Sequence, residues 1–188
     1  MNLLYIGTSN PAPWGASVRG NDSSSIGQFT NLYTASTLAI NADTGKIVWH
    51  YQTTPHDAWD YDGVNELVLA DLDIGGQKTP VALKADRNGF FYVLDRRNGK
   101  LLSAEKFVDL NWATSIDKTT GRPVENADKR PRLGFRAKNI CPNLIGGKNW
   151  EAKKYHPQTR LVYKPRKKLC QDLGGGQAQA KRGGVYLG

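Results

Sequence analysis

The chain has 188 residues, and 39% of them are hydrophobic, including 5 Trp, 8 Tyr and 5 Phe that need a packed interior. This composition excludes a largely disordered chain, and the lack of an apolar run near ~18 residues excludes a membrane-spanning helix. Two cysteines exclude a four-cysteine zinc site. The net charge of +9 is unevenly spread: residues 1–94 hold 5 basic and 9 acidic residues (net −4), and residues 95–188 hold 21 and 8 (net +13).

Short runs of β-branched and aromatic residues, separated by turn residues, predict an all-β fold. No stretch shows the 3.6-residue apolar period of an amphipathic helix. The first strand follows Met1 without the basic segment of a signal peptide, so we expect the sequence to be an internal piece of a longer protein. The predicted strands are Leu3–Gly7, Thr37–Asn41, Ile47–Tyr51, Glu66–Leu69, Pro80–Lys84, Phe90–Leu94, Arg160–Tyr163 and Val185–Leu187.

A polar turn motif with glycine in its fifth position recurs at Asn41–Lys46, Asp95–Lys100 and Asp117–Arg122. It predicts tight hairpins in which the glycine adopts a positive φ. A fourth copy places Arg160 where the glycine is expected. Because one hairpin cannot bury its own apolar face, the repetition predicts stacked or radial sheets, and at about 40–45 residues per blade the length corresponds to roughly four propeller blades.

The densest polar cluster is the segment His56–Gly63, which holds the carboxylates of Asp57, Asp60 and Asp62. Side chains alternate in an extended segment, so Asp60 and Asp62 would lie on the same side. Two carboxylates on one side repel each other unless a cation or a proton lies between them, and hard cations prefer oxygen ligands. The segment is therefore compatible with a metal site. On local spacing alone, an acidic loop that caps a turn is favoured, because the spacing lacks the remainder of a calcium-loop pattern.

Two other polar segments lie beside predicted strands. The prolines of Asn10–Trp14 favour an extended, stiff arm that presents the Asn10 carbonyl and the Trp14 ring. Arg87 lies in a turn before the strand Phe90–Leu94, where a planar guanidinium could bind a carboxylate or quinone oxygen. An ordinary rigid loop and an ordinary turn are the alternatives.

These segments belong to five motifs that occur in a fixed order along the chain. They are Asn10–Trp14 (NPAPW), Thr54–Asp60 (TPHDAWD), Asp86–Gly89 (DRNG), Asn139–Pro142 (NICP) and Gly146–Trp150 (GGKNW). Together they resemble the pyrroloquinoline quinone (PQQ)-dependent alcohol dehydrogenases, the quinoprotein methanol and ethanol dehydrogenases. The resemblance implies a β-propeller of tryptophan-docked four-stranded blades. About four blades would form a partial arc over residues 1–165, and the basic, Gly-rich segment 166–188 would continue the pattern weakly.

The resemblance also implies roles for individual residues. Asn10 matches a metal-binding asparagine, and Asp60 matches the aspartate that acts as general base toward the alcohol and also touches the metal. Arg87 and Asn149 match residues that contact PQQ. Cys141 and Cys170 match a disulfide pair, which fits an oxidising periplasm.

Asp62 departs from the calcium-type pattern, which has a small or uncharged residue at this place. An aspartate here resembles the lanthanide-dependent branch, and an extra carboxylate adds Coulomb stabilisation for a trivalent ion. The expected metal is therefore a lanthanide such as La³⁺ or Ce³⁺, or Ca²⁺, held by Asn10, Asp60 and Asp62. The alternative is that Asp62 only caps the turn before Gly63.

The implied function is the oxidation of small primary alcohols to aldehydes by a periplasmic enzyme that passes electrons to a c-type cytochrome, with no role in nucleic-acid binding. The site would be incomplete, because the family's N-terminal and C-terminal blades are missing from this sequence. One alternative is a non-catalytic propeller scaffold, which would need none of the residues Asn10, Asp60, Arg87 and Asn149. Another is a nucleic-acid binder built on the basic residues 129–188.

Overall fold

The computed structural model describes residues 2–20, 29–176 and 183–184, and they are almost entirely strands and loops. Two 3-10 helices are short, and no helix among the described residues has the length and apolar character needed to cross a membrane. The strands are β1 (Leu3–Gly7), β2 (Ser36–Asn41), β3 (Ile47–Gln52), β4 (Val68–Ile74), β5 (Gln77–Ala85), β6 (Phe90–Asp95), β7 (Leu101–Lys106), β8 (Ala113–Ile116), β9 (Pro123–Glu125), β10 (Arg136–Ile140), β11 (Lys154–His156), β12 (Leu161–Tyr163) and β13 (Gln171–Gly174), and the 3-10 helices are Ala16–Arg19 and Ala127–Lys129.

The strands form antiparallel sheets arranged as a partial arc. The order is β1-β2-β3 in the first sheet and β4-β5-β6-β7 in the second, and the pairs β8-β9, β10-β13 and β11-β12 follow. None of the described sheets closes on itself. The all-β class predicted from the sequence is confirmed.

The first six predicted strands overlap β1 to β6 in order, and Arg160–Tyr163 overlaps β12. The predicted strand Val185–Leu187 lies outside the described residues. The sequence analysis missed β7 to β11 and β13. Several of these are short and bury few apolar side chains, as in β10, where only Ala137 and Ile140 are buried, so their composition gives little strand signal.

The predicted hairpin turns are confirmed. Gly45, Gly99 and Gly121 have φ of 70°, 74° and 70°, in the left-handed region that glycine adopts without steric cost. Arg160, at the glycine position of the fourth copy, has φ of 57°. Its amide donates to His156 O at 2.8 Å, which closes the turn without a glycine.

Aromatic side chains join neighbouring sheets and place the polar loop that follows β3. Trp49 of β3 packs on the Gly99 turn, where an added Cβ would lie 2.6 Å from the indole ring. In the loop itself, the buried rings of Trp59 and Tyr61 stack on each other with centroids 6.0 Å apart. Trp112 packs against both rings. Trp59 and Tyr61 face the core, whereas the side chains of Asp60 and Asp62 remain partly exposed.

Candidate active site

Asp57 shapes the loop that carries the two other aspartates. Its carboxylate, fully buried, accepts hydrogen bonds from Trp59 N and Tyr61 N, both at 2.9 Å. Burial raises the pKa of Asp57 to about 7. Asp60, between the two donors, has φ of 69°, an uncommon conformation for a residue other than glycine. The loop is therefore held in a specific conformation by one side chain.

Asp60 and Asp62 lie on the same side of this loop, as predicted, although the loop is not the extended segment that the prediction assumed. Their side chains are 24% and 14% exposed, and both lie near the guanidinium group of Arg87. Burial, together with the negative charge of Asp62, raises the pKa of Asp60 to about 6, although Arg87 opposes the shift. In the described part of the chain, Asp60 and Asp62 thus share one positively charged partner, Arg87.

The arm that begins at Asn10 meets the aspartate loop directly. The backbone amide of Asn10 donates a hydrogen bond to Asp62 Oδ1 at 2.7 Å. The hydroxyl of Ser9 lies 3.0 Å from both Asp62 Oδ1 and Asn10 Oδ1. The side-chain oxygens of Asn10 and Asp62 therefore lie close together, on either side of the Ser9 hydroxyl.

Arg87 connects the aspartates to the last predicted residue of the site. Its Nη1 lies 3.0 Å from Asp62 Oδ2 and 3.6 Å from Asp60 Oδ2, and it donates to Asp60 O at 3.0 Å. Its Nη2 donates to Asn149 Oδ1 at 3.2 Å. Its Nε is buried and has no hydrogen-bond partner in the described part of the chain, so the contacts described do not use all five N–H donors of the guanidinium.

Asn149 is held in place from behind by a buried polar group. Asn65 donates through Nδ2 to Asn149 O at 3.0 Å and to Lys148 O at 3.2 Å. The fully buried ammonium of Lys148 lies 2.8 Å from Glu66 Oε2. Glu66 also pairs with Lys153, and both lysines lower its pKa against the effect of burial.

A disulfide joins Cys141 to Cys170, as the resemblance implied. The segment between the two cysteines contains Gly146 and Asn149. The same segment is tied to the chain after β12, where Lys167 N donates to Gly147 O at 2.8 Å. The loop that bears Asn149 is therefore fixed at both ends.

The donor atoms fit a hard cation. Asn10, Asp60 and Asp62 supply only oxygen atoms, which such ions prefer. One guanidinium faces two carboxylates, so the loop has excess negative charge that a cation would neutralise. Within the described ranges, no group of three His, Cys, Asp or Glu side chains is placed to bind a metal ion. The third metal ligand would instead be the side-chain oxygen of Asn10. Arg87, with its unpaired Nε, and Asn149 fit a quinone that bears oxygen acceptors.

The structure brings together all five residues predicted for the metal and the cofactor: Asn10, Asp60, Asp62, Arg87 and Asn149. Sequence reasoning missed Ser9, Asn65 and Lys84. Ser9 and Asn65 have no distinguishing pattern. Lys84, whose ammonium donates to the carbonyl of Gly63 next to Asp62, could have been found, because it is a charged residue directly after the apolar run Pro80–Leu83 of β5.

Comparison with known proteins gives consistent results. Residues 1–107 match the family described as "PQQ: Glucose/ethanol/alcohol dehydrogenase, beta-propeller domain". The chain is 46% identical over 189 residues to the lanthanide-dependent methanol dehydrogenase of Methylacidiphilum fumariolicum. The matched region covers all of this chain and 30% of that protein. It is 40% identical over 195 residues to the quinoprotein ethanol dehydrogenase of Pseudomonas putida, again over the whole chain and 31% of that protein.

Two solved structures resemble this one along most of its length. A europium-containing methanol dehydrogenase superposes with a TM-score of 0.90 at 46% identity, covering 98% of this chain and 31% of that one. The quinohemoprotein alcohol dehydrogenase of Comamonas testosteroni gives a TM-score of 0.84 at 42% identity, covering 92% of this chain and 25% of that one. The chain therefore spans less than a third of the length of these relatives.

Proposed function

Because the chain belongs to the PQQ family of glucose, ethanol and alcohol dehydrogenase β-propeller domains, we propose that it provides the metal-binding and base-bearing part of an alcohol-oxidising site. The observation that carries this proposal is the unbroken contact chain from Asn10 through Asp62 and Arg87 to Asn149. A scaffold protein would have no need for such an arrangement. The family match confirms the predicted propeller class, here as a partial arc.

Asn10, Asp60 and Asp62 would hold the cation. A lanthanide is favoured over Ca²⁺, because the second carboxylate strengthens attraction more for a trivalent than for a divalent ion. The 46% identity to a lanthanide-dependent methanol dehydrogenase supports this choice. When bound, the metal supplies a Lewis acid, and PQQ supplies the redox chemistry that removes two electrons from the alcohol.

Asp60 would take the proton of the substrate hydroxyl. Its carboxylate is partly exposed, so a small alcohol can reach it, whereas the neighbouring Asp57 is fully buried. A cation beside Asp60 would lower its pKa below the present value of about 6, which keeps the carboxylate ionised near neutral pH. Arg87 and Asn149 would hold PQQ by hydrogen bonds, and the buried Trp59 and Tyr61 would fix the direction of the base.

Small primary alcohols are the proposed substrates, a c-type cytochrome the proposed electron acceptor and the periplasm the proposed location. Since the chain spans 30% of the lanthanide-dependent relative, further cofactor contacts would have to come from other parts of a complete propeller. We expect the 188-residue chain to bind metal and PQQ weakly and to show no turnover by itself. The division at residue 165 into a propeller part and a basic segment stays a prediction.

The proposal is tested by titrating the chain with PQQ in the presence of La³⁺, Ca²⁺ or neither, with tryptophan fluorescence as the signal. Saturable binding that requires a metal and is tighter with La³⁺ is expected. Asp60→Ala should abolish this binding, and Asp73→Ala, which changes an exposed aspartate on β4, should leave it unchanged. A chain that shows β-sheet circular dichroism but binds with neither metal would overturn the proposal in favour of the scaffold alternative.

A further inference from the structure

A fully buried ammonium group lies directly beneath the candidate site. Lys84 of β5 has no exposed surface, and its Nζ donates to Gly63 O at 2.7 Å and to Thr37 Oγ1 at 2.8 Å. The same atom lies 3.2 Å from Asp86 Oδ2. An ammonium has three protons and no acceptor; two of its protons are donated to Gly63 O and Thr37 Oγ1, and Asp86 supplies the opposite charge.

Two of these three partners, Gly63 and Asp86, are adjacent in sequence to residues of the candidate site. Gly63 follows Asp62 and ends the aspartate loop, and Asp86 immediately precedes Arg87. The third partner, Thr37, belongs to β2 in the adjacent sheet. One side chain thus joins the proposed metal loop, the arginine turn and the sheet on which both rest.

The end of the aspartate loop is held on its other sides by backbone. Gly63 N donates to Thr8 O at 2.9 Å. A Cβ on Gly63 would lie 2.6 Å from Ser36 N, and a Cβ on Gly7 would lie 2.0 Å from Gly63 O. The carbonyl of Gly63 is therefore enclosed, and Lys84 provides its hydrogen-bond donor.

The core alone gives no reason for a lysine at this place. The neighbours of Lys84 along β5, Leu83 and Ala85, are buried and apolar. A buried charge is costly unless it is paired, and an apolar residue of similar volume is often no less stable. Its three directed contacts are what an apolar residue could not reproduce.

We propose that Lys84 is a positioning residue that fixes the spacing between the aspartate loop and Arg87. This inference rests on the proposed function, because it assigns Lys84 to the site that binds metal and PQQ. Removing outer contacts of a metal site typically weakens metal binding by about 10–100-fold. We expect a loss in this range when the ammonium of Lys84 is removed.

The test compares Lys84→Met with Lys78→Met in the full chain. Lys78 lies six residues earlier on the same strand, but its side chain is exposed. Two quantities are measured: Tb³⁺ affinity by tryptophan-sensitised luminescence, and hydrogen exchange in residues 59–65 and 86–90. Since Lys84→Met leaves the buried Asp86 unpaired, the double variant Lys84→Met/Asp86→Asn provides a second form without that charge.

Faster exchange in both segments of the Lys84 variants, with Lys78→Met at the wild-type rate, is the expected result. Tb³⁺ affinity should fall about tenfold or more in the same variants only. Wild-type exchange rates in both segments of a folded Lys84 variant would overturn the positioning role. If the unmodified chain does not bind Tb³⁺, the proposed metal site fails, and the exchange rates still decide whether Lys84 positions the two loops.

Discussion

Gly146 lies so close to Arg87 that a Cβ on the glycine would sit 2.0 Å from Arg87 Cγ and 2.6 Å from Arg87 O. Gly147, the next residue, donates its amide to the same Arg87 carbonyl at 2.9 Å. The glycine pair before Asn149 therefore allows the loop to approach the arginine turn at van der Waals distance. This contact explains why Arg87 and Asn149 can share a hydrogen bond although 62 residues separate them.

Gly146→Ala should displace Arg87 and weaken PQQ binding by about tenfold or more, because a clash of this kind typically costs ~1–3 kcal/mol. Gly134→Ala is the matched control, since both glycines have positive φ, 83° and 72°, but a Cβ on Gly134 would meet nothing within 4 Å. Fluorescence titration of both variants with PQQ and La³⁺ measures the difference. Equal affinities in the two variants would contradict the role of the close contact.

Gly7→Ala should move Gly63 and thereby the proposed metal ligand Asp62. A methyl group on residue 7 would lie 2.0 Å from Gly63 O. Gly15→Ala is the control, because the nearest atom to a methyl group on residue 15 would be 3.7 Å away. We expect Gly7→Ala to lower the free energy of unfolding by ~1–3 kcal/mol and to reduce Tb³⁺ affinity. Gly15→Ala should change neither. Urea unfolding and Tb³⁺ luminescence are the measurements, and unaltered Tb³⁺ affinity in Gly7→Ala would refute this prediction.

The buried Asp57 should make the chain less stable as pH rises from about 4 to 7. Its folded-state pKa of about 7 lies above the ordinary value of 3.8, so over this range the folded state binds more protons than the unfolded state. Its contribution to the free energy of unfolding is therefore greatest below pH 4 and falls as pH approaches 7.

Asp57→Asn should remove this part of the pH dependence. The variant should also be less stable at all pH values, because one amide oxygen cannot accept both backbone hydrogen bonds that Asp57 accepts. Urea unfolding of both chains at several pH values between 4 and 7 measures the effect. Parallel stability curves for the two chains would show that Asp57 is not the group responsible.

The disulfide should contribute stability chiefly by restricting the unfolded chain. Cys141 and Cys170 are separated by 29 residues, and loop-closure entropy predicts about 3–4 kcal/mol for a loop of this size. Replacing both cysteines with alanine should lower the free energy of unfolding by this amount in denaturant titrations. A reducing agent should destabilise the natural chain but not the variant. Equal sensitivity of the two chains would argue against a stabilising disulfide.

Local sequence was sufficient to determine several features of this protein. The turn motif determined the positive φ of Gly45, Gly99 and Gly121, and it did so even where Arg160 replaces glycine. Alternation in an extended segment predicted that Asp60 and Asp62 share a side. They do, but Asp60 has φ of 69°, and the loop is shaped instead by the hydrogen bonds that Asp57 accepts from Trp59 N and Tyr61 N, two and four residues away. Such features depend on neighbouring residues only, so a pattern in the sequence encodes them.

Contacts between distant segments could not be derived from the residues themselves, although the family resemblance implied two of them, Asn10 with Asp62 and Cys141 with Cys170. The approach of Asn10 to Asp62 across 52 residues, the enclosure of Gly63 by Gly7, and the three partners of Lys84 all depend on how two sheets pack. The short strands that the sequence analysis missed are likewise defined by their pairing partners and not by their composition. The sequence by itself determined which residue types were available and which side of a loop they face, and packing of the sheets determined which of them meet, because separation along the chain places no direct constraint on distance in the fold.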